Sequence, residues 1–271
     1  MALSGCGQLL NAQVGSPQTE EAKNMGQTVF VEITKADKNI DYKDFQEILL
    51  DAQSRVTEEG YTWEDNLLYI YSAGTYVLRG NLDGGVQVRV YDDELVHLIF
   101  ENVEIKNDDG PAIYVEEADK VIITLAEGSE NILSDGAEYA GDKEACIFSN
   151  TDLTINGPGM LYVYGYYHDA IRSKDCIKLV ETSVSVRSKN NGVRGNDGVI
   201  IQDSQVQVES EGTGIMSKSG KNFVVIEGGS CQVTAGEHAV SAGCYVSISG
   251  CETSLYSVME AVQCDGIKEI D

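Results

Sequence analysis

Several residue types are scarce in this sequence, and each shortage excludes a class of protein. Only 19 Lys and Arg stand against 44 Asp and Glu, a net charge of −25, which excludes nucleic acid and anionic membrane surfaces as partners. No run of about 20 apolar residues occurs, so no segment is long enough to span a bilayer as a helix. The 7 cysteines contain no CxxC pair and the 3 histidines form no cluster, which excludes the common zinc and redox motifs.

Proline is scarce as well, with 3 in the chain, so turns must rely on the 28 glycines and on Asn and Asp, which tolerate left-handed backbone angles. Short segments between these turn residues alternate apolar and polar side chains, as in DLTI (152–155), SVSVRS (183–188) and QVQVES (205–210). Alternation with a period of two, in segments rich in Val, Ile and Thr, indicates β-strands.

Apolar positions in the second half of the chain repeat every 22 residues. Three tracks share this spacing: they run through Ile171, Val193 and Ile215, through Ile177 and Val199, and through Val184 and Val206. After three additional residues the period returns from Val240 to Val262. A leucine-rich repeat has a comparable period, but its leucine ladders and helical halves are absent. The pattern predicts an all-β, right-handed, single-stranded parallel β-helix of about 8–9 turns, roughly 40 Å long, with an N-terminal cap.

The first 27 residues are expected to form a tether rather than part of the fold. Leu3-Ser4-Gly5-Cys6 resembles a bacterial lipobox, whose cysteine carries a lipid, although four such residues also occur by chance. A polar stretch low in aromatic residues follows as far as Gln27. The basic and apolar parts of a signal peptide do not stand before the lipobox, so we expect Met1-Ala2 to replace them. The predicted protein is extracytoplasmic, either secreted or lipid-anchored through Cys6.

Residues 28–68 are expected to cap the N-terminal end of a β-helix domain that spans 28–271. TVFVEIT (28–34) predicts a strand, and Asp41 followed by Phe45, Ile48 and Leu49 predicts a short amphipathic helix. A cap is needed because an uncovered first turn exposes its core and its strand edges.

The positions of the cysteines indicate a packing role in the core rather than a catalytic or metal-binding one. Cys146 lies in the apolar run ACIF and Cys231 lies on the same track as Val206, so both are predicted to be small core side chains. The sequence leaves open whether Cys244 and Cys251 form a disulfide. No nucleophile motif accompanies the histidines, which fall on different turns.

Residues 66–217 resemble a bacterial family of carbohydrate-binding domain proteins. The matching stretches are AGTYVLRGNLDG (73–84), ADKVIITLAEGSENILSDG (118–136), IFSNTDLTINGPGMLYVYG (147–165) and DAIRSKDCIKL (169–179). The resemblance implies a calcium-containing β-helix, similar to that of pectate lyases, which binds cellulose and acidic sugars. It implies binding rather than demonstrated catalysis.

The sequence departs from the family at a repeated corner, which usually reads Asp-Gly-Ile. The corresponding triplets are Asp169-Ala170-Ile171, Asn191-Gly192-Val193 and Thr213-Gly214-Ile215. The carboxylate is kept once, becomes an amide once and becomes a hydroxyl once, so calcium sites at these corners are expected to be weaker. The usual SKDD also loses one acidic residue, since position 176 is a cysteine.

Side-chain oxygens at the corners are nevertheless candidate ligands for calcium. Stacking places Asp175 and Asp197, 22 residues apart, on adjacent turns about 5 Å from each other, where they can share one ion. Each corner residue can instead end a strand by bonding its own backbone. We predict that at least one calcium is bound, with candidate ligands Asp108, Asp109, Asp135, Asp169, Asp175 and Asp197.

Tyrosines are concentrated in the stretch MLYVYGYYHD. Alternation with the inward Leu161 and Val163 points Tyr162 and Tyr164 outward, and Tyr167 follows at the adjoining corner with Tyr166. Tyrosine rings with free hydroxyls can stack on sugar rings, which predicts a carbohydrate-binding surface. The alternative is that these rings stack on neighbouring side chains or are covered by a loop.

Two arginines follow inward residues on adjacent turns. Arg172 and Arg194 are therefore predicted to face outward, one turn apart, where they can hold carboxylated sugars through bidentate contacts. Pairing with nearby Asp and Glu is the alternative.

We predict a monomeric, non-catalytic polysaccharide-binding protein with structural calcium, whose ligand is a plant cell-wall glycan of the cellulose or pectin type. One alternative is a calcium-dependent lyase acting on polygalacturonate-like substrate, with Arg172 or Lys174 beside Asp175 as the base. The other is a structural, adhesin-like β-helix without sugar specificity. The fold admits all three.

Overall fold

The structure is a computed structural model that describes residues 31–51, 57–91, 94–218, 220 and 222–271. These residues form 26 β-strands and no helix, and thus no helix that is long and apolar enough to cross a membrane. All strand pairs are parallel except the β-hairpin at Tyr61–Ile70 and one isolated bridge. The strands stack into about eight turns with a period of about 23 residues, which confirms the predicted parallel β-helix. The predicted lipobox and linker lie outside the described residues.

Each regular turn places one strand on each of three sides. Side 1 is a 10-stranded sheet. Its strands are β2 (Tyr61–Glu64), β3 (Leu67–Ile70), β5 (Gly85–Arg89), β7 (Ile113–Glu117), β10 (Ala145–Ser149), β13 (Asp169–Ser173), β16 (Val193–Gly195), β19 (Ile215–Ser217), β22 (Val240–Ala242) and β25 (Val262–Cys264).

Sides 2 and 3 belong to one 16-stranded sheet, because two long strands run through both sides without a break. These strands are β4 (Gly74–Asp83) and β6 (Leu95–Asn107). Side 2 also contains β1 (Gln46–Leu49), β8 (Lys120–Leu125), β11 (Asp152–Asn156), β14 (Cys176–Val180), β17 (Gly198–Gln202), β20 (Phe223–Glu227), β23 (Tyr245–Ser249) and β26 (Ile267–Ile270). Side 3 also contains β9 (Glu130–Asp135), β12 (Met160–Gly165), β15 (Ser183–Ser188), β18 (Gln205–Ser210), β21 (Ser230–Ala235) and β24 (Glu252–Ser257).

The pairing register follows the 22-residue spacing on all three sides. Ile171 pairs with Val193 and Val193 with Ile215 on side 1, while Ile177 pairs with Val199 on side 2 and Val184 with Val206 on side 3. Val240 follows Ile215 on side 1 after the predicted three-residue insertion. The register of the regular turns is thus confirmed.

The core is a continuous stack of inward side chains. Strands of side 3 alternate buried and exposed positions, so that Leu161 and Val163 are inaccessible to solvent while their neighbours face outward. Cys146 and Cys231 are fully buried among these residues, as predicted, and burial raises the pKa of both thiols. Cys244 and Cys251 are free thiols, with no disulfide between them.

The predicted N-terminal helix is wrong. Residues Gln46–Leu49 form strand β1, which pairs in parallel with β4 and places Ile48 opposite Leu78. Ile48 is 3% exposed whereas Phe45 and Leu49 are 44% and 51% exposed, so burial alternates as in a strand. The edge of β4 offers a row of backbone partners, and this pairing overrides the local helical spacing. The predicted strand at 28–34 is also absent over 31–34, and its first residues lie outside the described part.

A crossing segment, residues 31–39, runs over the outer surface of side 2. Val31 and Ile33 pack against the outward side chains Cys176, Ile200 and Phe223 of three successive strands. Further along the segment, a buried Asp37 binds residues of β8, β11 and β14. The segment thus contacts five successive strands of side 2, from β8 to β20.

Candidate functional site

Side 3 presents a group of tyrosines, the tyrosine face, formed by Tyr162, Tyr164 and Tyr166. Tyr162 and Tyr164 are the outward residues of β12, as alternation predicted, and both are partly exposed. The rings of Tyr164 and Tyr166 stack with centroids 5.9 Å apart and an angle of 10° between their planes, and Tyr166 is 51% exposed. The face therefore presents aromatic surface and phenolic hydroxyls to solvent.

Apart from Ile132, the outward residues on the neighbouring strands are polar. Tyr162 lies between Ile132 of β9 and Ser185 of β15, and Tyr164 lies between Ser134 and Arg187. The next strands continue the same two columns with Gln207 and Glu209, and then with Gln232 and Thr234. The result is an extended surface of hydrogen-bonding side chains beside an aromatic group.

Tyr167 does not belong to the tyrosine face. Its ring packs against Tyr139 at 4.3 Å between centroids, and Tyr139 belongs to the loop 136–144 that connects β9 to β10. The Tyr139 hydroxyl donates to Asp135 Oδ2 at 3.1 Å and to the Lys143 carbonyl oxygen at 2.9 Å. Tyr167 therefore helps to hold this loop against the β-helix.

Asp135, a predicted calcium ligand, lies buried beneath this loop. Its Oδ1 accepts the backbone N–H of Tyr166 at 2.6 Å, while its Oδ2 accepts the Tyr139 hydroxyl. Burial raises the pKa of Asp135 to about 6, and these hydrogen bonds oppose the rise. Its observed contacts fix the corner between β12 and β13 and the adjoining loop.

Arg172 and Arg194 lie on side 1, around a corner from the tyrosine face. They stack on adjacent turns as predicted, and the Arg172 guanidinium lies 5.5 Å from the ring centroid of Phe148. Arg172 Nη1 donates to Glu144 Oε2 at 3.1 Å, and Arg194 Nη1 lies 3.8 Å from Asp169 Oδ2, so both side chains have the acidic partners that the alternative anticipated. Burial, followed by repulsion from Arg172, lowers the pKa of Arg194. The Nε atoms of both arginines are buried without a hydrogen-bond partner in the structure.

The corner residues Asp169, Asn191 and Thr213 form a hydrogen-bonded ladder. Asp169 Oδ1 accepts both the backbone N–H and the side-chain amide of Asn191, at 3.0 and 2.8 Å. Asn191 Oδ1 in turn accepts the backbone N–H of Thr213 at 3.2 Å. Burial pushes the pKa of Asp169 upward, but hydrogen bonds from His168, Asn190 and Asn191 outweigh it and the pKa is lowered. All three corner residues are buried and bind the next turn of the chain.

Three carboxylates line up at another corner, where side 1 meets side 2. Asp175 and Asp197 occupy adjacent turns as predicted, and the backbone N–H of Asp197 donates to the Asp175 carbonyl oxygen at 3.2 Å. Asp152 occupies the preceding turn, with Oδ1 accepting the backbone N–H of Cys176. Burial, then repulsion from Asp152 and Asp197, raises the pKa of Asp175. Asp152 is not among the ligands predicted from the sequence. It lies 23 residues before Asp175, close to the repeat period, and this spacing would have placed it in the same column.

Asp108 and Asp109 lie at the mouth of a cleft that the sequence did not predict. This corner cleft, about 610 Å³ in volume, lies between the stacked corners of the first turns and the loop 136–144. Asp65, Asp83, Asp108 and Asp109 line it together with Lys106 and Lys143. The cleft could have been anticipated from the length of one connection. Nine residues join β9 to β10, whereas the equivalent corners of the next two turns are the shorter segments 166–168 and 189–192.

The predicted sites are thus spread over several corners. The structure brings Tyr162 together with Tyr164, Arg172 with Arg194, Asp175 with Asp197, and Asp108 with Asp109. In the part of the chain that the structure describes, no three His, Cys, Asp or Glu side chains converge in a preformed metal site.

Comparisons with known proteins agree with this architecture. A relative from Acetivibrio thermocellus, described as a carbohydrate-binding domain-containing protein, is 29% identical over 223 residues, which cover 78% of each chain. A solved structure described as the polysaccharide lyase-like protein from C. thermocellum, in a gadolinium derivative, matches with a TM-score of 0.79 and 26% identity. The match covers 84% of this chain and 96% of that one. The family model for carbohydrate-binding domain-containing proteins matches residues 64–268, and this chain therefore belongs to that family, as the resemblance predicted.

Proposed function

We propose that the protein binds polysaccharide through the tyrosine face and does not cleave it. The observation that carries this proposal is the exposed stack of Tyr164 on Tyr166 beside the outward Tyr162. Pyranose rings pack their C–H faces on aromatic rings, while phenolic hydroxyls and neighbouring polar side chains bond the sugar hydroxyls. Side 3 offers these groups along an extended surface, which suits a polymer better than a single small molecule.

The surroundings of the face support a glycan ligand. Ser185 beside Tyr162 and Ser134 beside Tyr164 are small, so each ring has one side that no large neighbour covers. Gln207 and Gln232 add side-chain amides, each able to donate and accept hydrogen bonds, on the following turns. The family and the relative from Acetivibrio thermocellus are named for carbohydrate binding, which supports the same class of ligand.

The proposed ligands are plant cell-wall glycans of two types. Neutral β-linked glucans suit the tyrosine face, whereas carboxylated chains of the pectin type would need the cationic pair on side 1. Arg194 is the better candidate of that pair, since its contact with Asp169 Oδ2 is longer, at 3.8 Å, than the 3.1 Å hydrogen bond from Arg172 to Glu144. A protein with this role would act outside the cytoplasm, secreted or anchored through Cys6, and would hold the cell or a partner enzyme near its substrate.

Calcium is proposed at the corner of Asp152, Asp175 and Asp197. Carboxylate and carbonyl oxygens are the ligands that calcium prefers, and an ion here would neutralise the repulsion that, after burial, helps to raise the pKa of Asp175. A rise in the melting temperature on adding calcium, lost in Asp175→Asn/Asp197→Asn, tests this site. An equal calcium response in the variant would reject it.

A lyase on polygalacturonate-like substrate is the second candidate. It is favoured by the solved structure described as polysaccharide lyase-like and by two stacked arginines near an acidic corner. A base must reach the proton it removes, and the Arg172 side chain is 16% exposed with an acidic partner. Ultraviolet absorbance of an unsaturated product, formed from polygalacturonate with calcium, would establish the lyase and reject the purely binding function.

Affinity electrophoresis in gels containing cellulose derivatives, pectin or mixed-linkage glucan tests the proposal. We expect retardation of the protein in at least one gel and its loss in Tyr162→Ala/Tyr164→Ala/Tyr166→Ala. Tyr91→Ala, which removes an exposed tyrosine that follows β5, is the matched control and should leave retardation unchanged. Unaltered mobility of the wild type in every gel would leave the adhesin-like, sugar-independent function.

A further inference from the structure

The corner cleft exists because one connection is longer than its neighbours. One wall consists of corners stacked on successive turns: Asp65 and Asn66, then Asp83 and Gly84, then Lys106 to Pro111. The nine-residue loop 136–144 stands away from the stack and forms the other wall with Tyr139, Ala140 and Lys143. A cavity of about 610 Å³ lies within the usual range of small-molecule sites, about 300–1,000 Å³.

The wall formed by the loop is held in place from outside the cleft. The Tyr139 hydroxyl bonds Asp135 and the Lys143 carbonyl oxygen, and its ring packs on Tyr167. Glu144, the last loop residue, pairs with Arg172. These contacts hold the loop, so a ligand would not have to order it.

The lining offers acceptors suited to hydroxyl groups. The carboxylates of Asp83 and Asp109 make no hydrogen bond to any described side chain or backbone group, although both residues face the cleft. A carboxylate accepts hydrogen bonds at both oxygens, so each can bind two neighbouring sugar hydroxyls. Tyr114 adds an aromatic wall, with the Lys143 ammonium 4.4 Å from its ring centroid.

The charge of the cleft selects against acidic sugars. Four carboxylates line it, at 65, 83, 108 and 109, against the two ammonium groups of Lys106 and Lys143, a balance of −2. Lys106 is moreover paired with Asp108 at 3.1 Å. A uronate carboxylate placed here would meet like charges, whereas a neutral sugar would not.

The cleft also adjoins the tyrosine face. Lys106 at its edge pairs with Ser134 in the sheet, and Ser134 pairs with Tyr164, so two strand spacings of about 4.8 Å separate the two features. A chain that lies on the tyrosine face can therefore continue round the corner into the cleft.

We propose that the corner cleft is a second carbohydrate site, which takes a short neutral stretch of a β-linked glucan and rejects uronates. The proposal rests on the proposed function for its class of ligand, but it assigns a different set of residues and a definite selectivity. Asp83 and Asp109 bind the hydroxyls, and the loop 136–144 sets the width of the site.

Calorimetric titration with cellotetraose and with tetragalacturonate, both in EDTA, tests this site. We expect cellotetraose to bind the cleft, whereas any binding of tetragalacturonate should occur elsewhere and be unchanged in the cleft variants. Asp83→Ala/Asp109→Ala should weaken cellotetraose binding at least about tenfold, because two charged hydrogen-bonding groups are lost. Ala140→Trp, which fills the mouth while keeping every charge, should weaken it as well. Asp119→Ala/Asp265→Ala, at exposed positions outside the cleft, makes the same change in net charge and should have no effect.

Cellotetraose affinity equal to wild type in both cleft variants would overturn the assignment, as would the absence of cellotetraose binding to the wild type. Tetragalacturonate binding that Ala140→Trp abolishes would overturn the selectivity. Gel retardation that is lost in the triple tyrosine variant reports separately on the tyrosine face. Retardation without a response of the cleft variants would leave the proposed function intact and reject only the second site.

Discussion

At the scale of single residues, the least expected feature is a lysine inside the surface of side 2. Lys178 is 1% exposed, and its ammonium donates to Asp37 Oδ2 at 3.0 Å and to the Glu32 carbonyl oxygen at 2.8 Å. Asp37 is fully buried and also accepts from Lys120 and Thr154. Burial would raise the pKa of Asp37, but these hydrogen bonds hold it well below its usual value. Buried charges are tolerated only when paired in this way.

Breaking this pair should destabilise the protein strongly. Asp37→Asn leaves the Lys178 ammonium buried without its counter-charge, and we expect a loss of about 3 kcal/mol in the free energy of unfolding. Asp37→Asn/Lys178→Met removes both charges and should recover most of that loss. Urea denaturation measures both effects, with Lys38→Gln, at an exposed ion pair with Glu181, as the control. A single variant as stable as the control would contradict this account of Asp37.

His97 makes stability depend on pH in the mildly acidic range. Burial lowers its pKa to about 4, and its Nε2 lies 2.7 Å from Thr124 Oγ1. The unfolded chain therefore takes up the proton first, near pH 6.5, and stability falls as the pH is lowered from there towards 4. The full contribution of this group is at most about 3 kcal/mol.

Unfolding free energies at neutral pH and near pH 4.5, compared between wild type and His97→Gln, measure this contribution. We expect the loss on acidification to be smaller in the variant, because glutamine does not titrate. Asp37 acts only at lower pH, since its contribution is present above the ordinary carboxyl pKa and is lost below it. Equal losses in the two proteins would show that His97 does not control this range.

At the scale of structural elements, the corners do more than reverse the chain. The ladder of Asp169, Asn191 and Thr213 joins three consecutive turns through buried hydrogen bonds that run along the axis. Gly192 and Gly214 follow in the same corners, where a Cβ atom would lie 2.4 and 2.2 Å from valine side chains of side 3. The amide at 191 is useful here because it donates to one turn and accepts from the next.

An acidic residue at position 191 should therefore be harmful. Asn191→Asp removes the donor to Asp169 and places two carboxylates together, and we expect a loss of about 3 kcal/mol. Asn191→Ala removes the hydrogen bonds without adding a charge and should cost about 1–2 kcal/mol. Thermal and urea unfolding in EDTA give the order of stabilities. A variant with aspartate that is more stable than the one with alanine would contradict the ladder.

The regular strands could be predicted from the sequence, but the contacts between residues far apart in the chain could not. Ile171, Val193 and Ile215 fall in register because equal corner lengths repeat the same alternation, which is a local property. The spacing of Phe45 and Ile48 fitted a helix equally well, and only the free edge of β4 decided for a strand. Asp37 and Lys178 are 141 residues apart, and no local pattern relates them. The corner cleft likewise depends on how one loop folds back over earlier turns.

At the scale of the whole molecule, charge governs which glycans can approach. The formal net charge of −25 repels polyanions at distances up to about a Debye length, roughly 10 Å at moderate salt. Arg172 and Arg194 on side 1 are a local exception, although Glu144 and Asp169 partly neutralise their charge. Neutral glucans meet no such barrier, so the two classes of ligand should respond to ions in different ways.

Polygalacturonate binding should grow stronger, not weaker, as sodium chloride is raised from low to physiological concentration, because salt screens the overall repulsion. Calcium should strengthen it further by neutralising carboxylates on both partners. Retardation in neutral glucan gels should change little under the same conditions. Affinity electrophoresis at several salt concentrations measures all three trends. Pectin binding that declines steadily with salt would show that the arginine pair outweighs the net charge.

The crossing segment gives this stack a mechanical property of its own. In a plain solenoid each turn touches only the turns beside it, so the ends can peel away one layer at a time. Here the residues from Val31 to Asn39 form a lengthwise seam that touches five layers of side 2, from β8 to β20. A load applied to one layer is therefore shared by the others. Detaching the seam must precede the separation of any one of them.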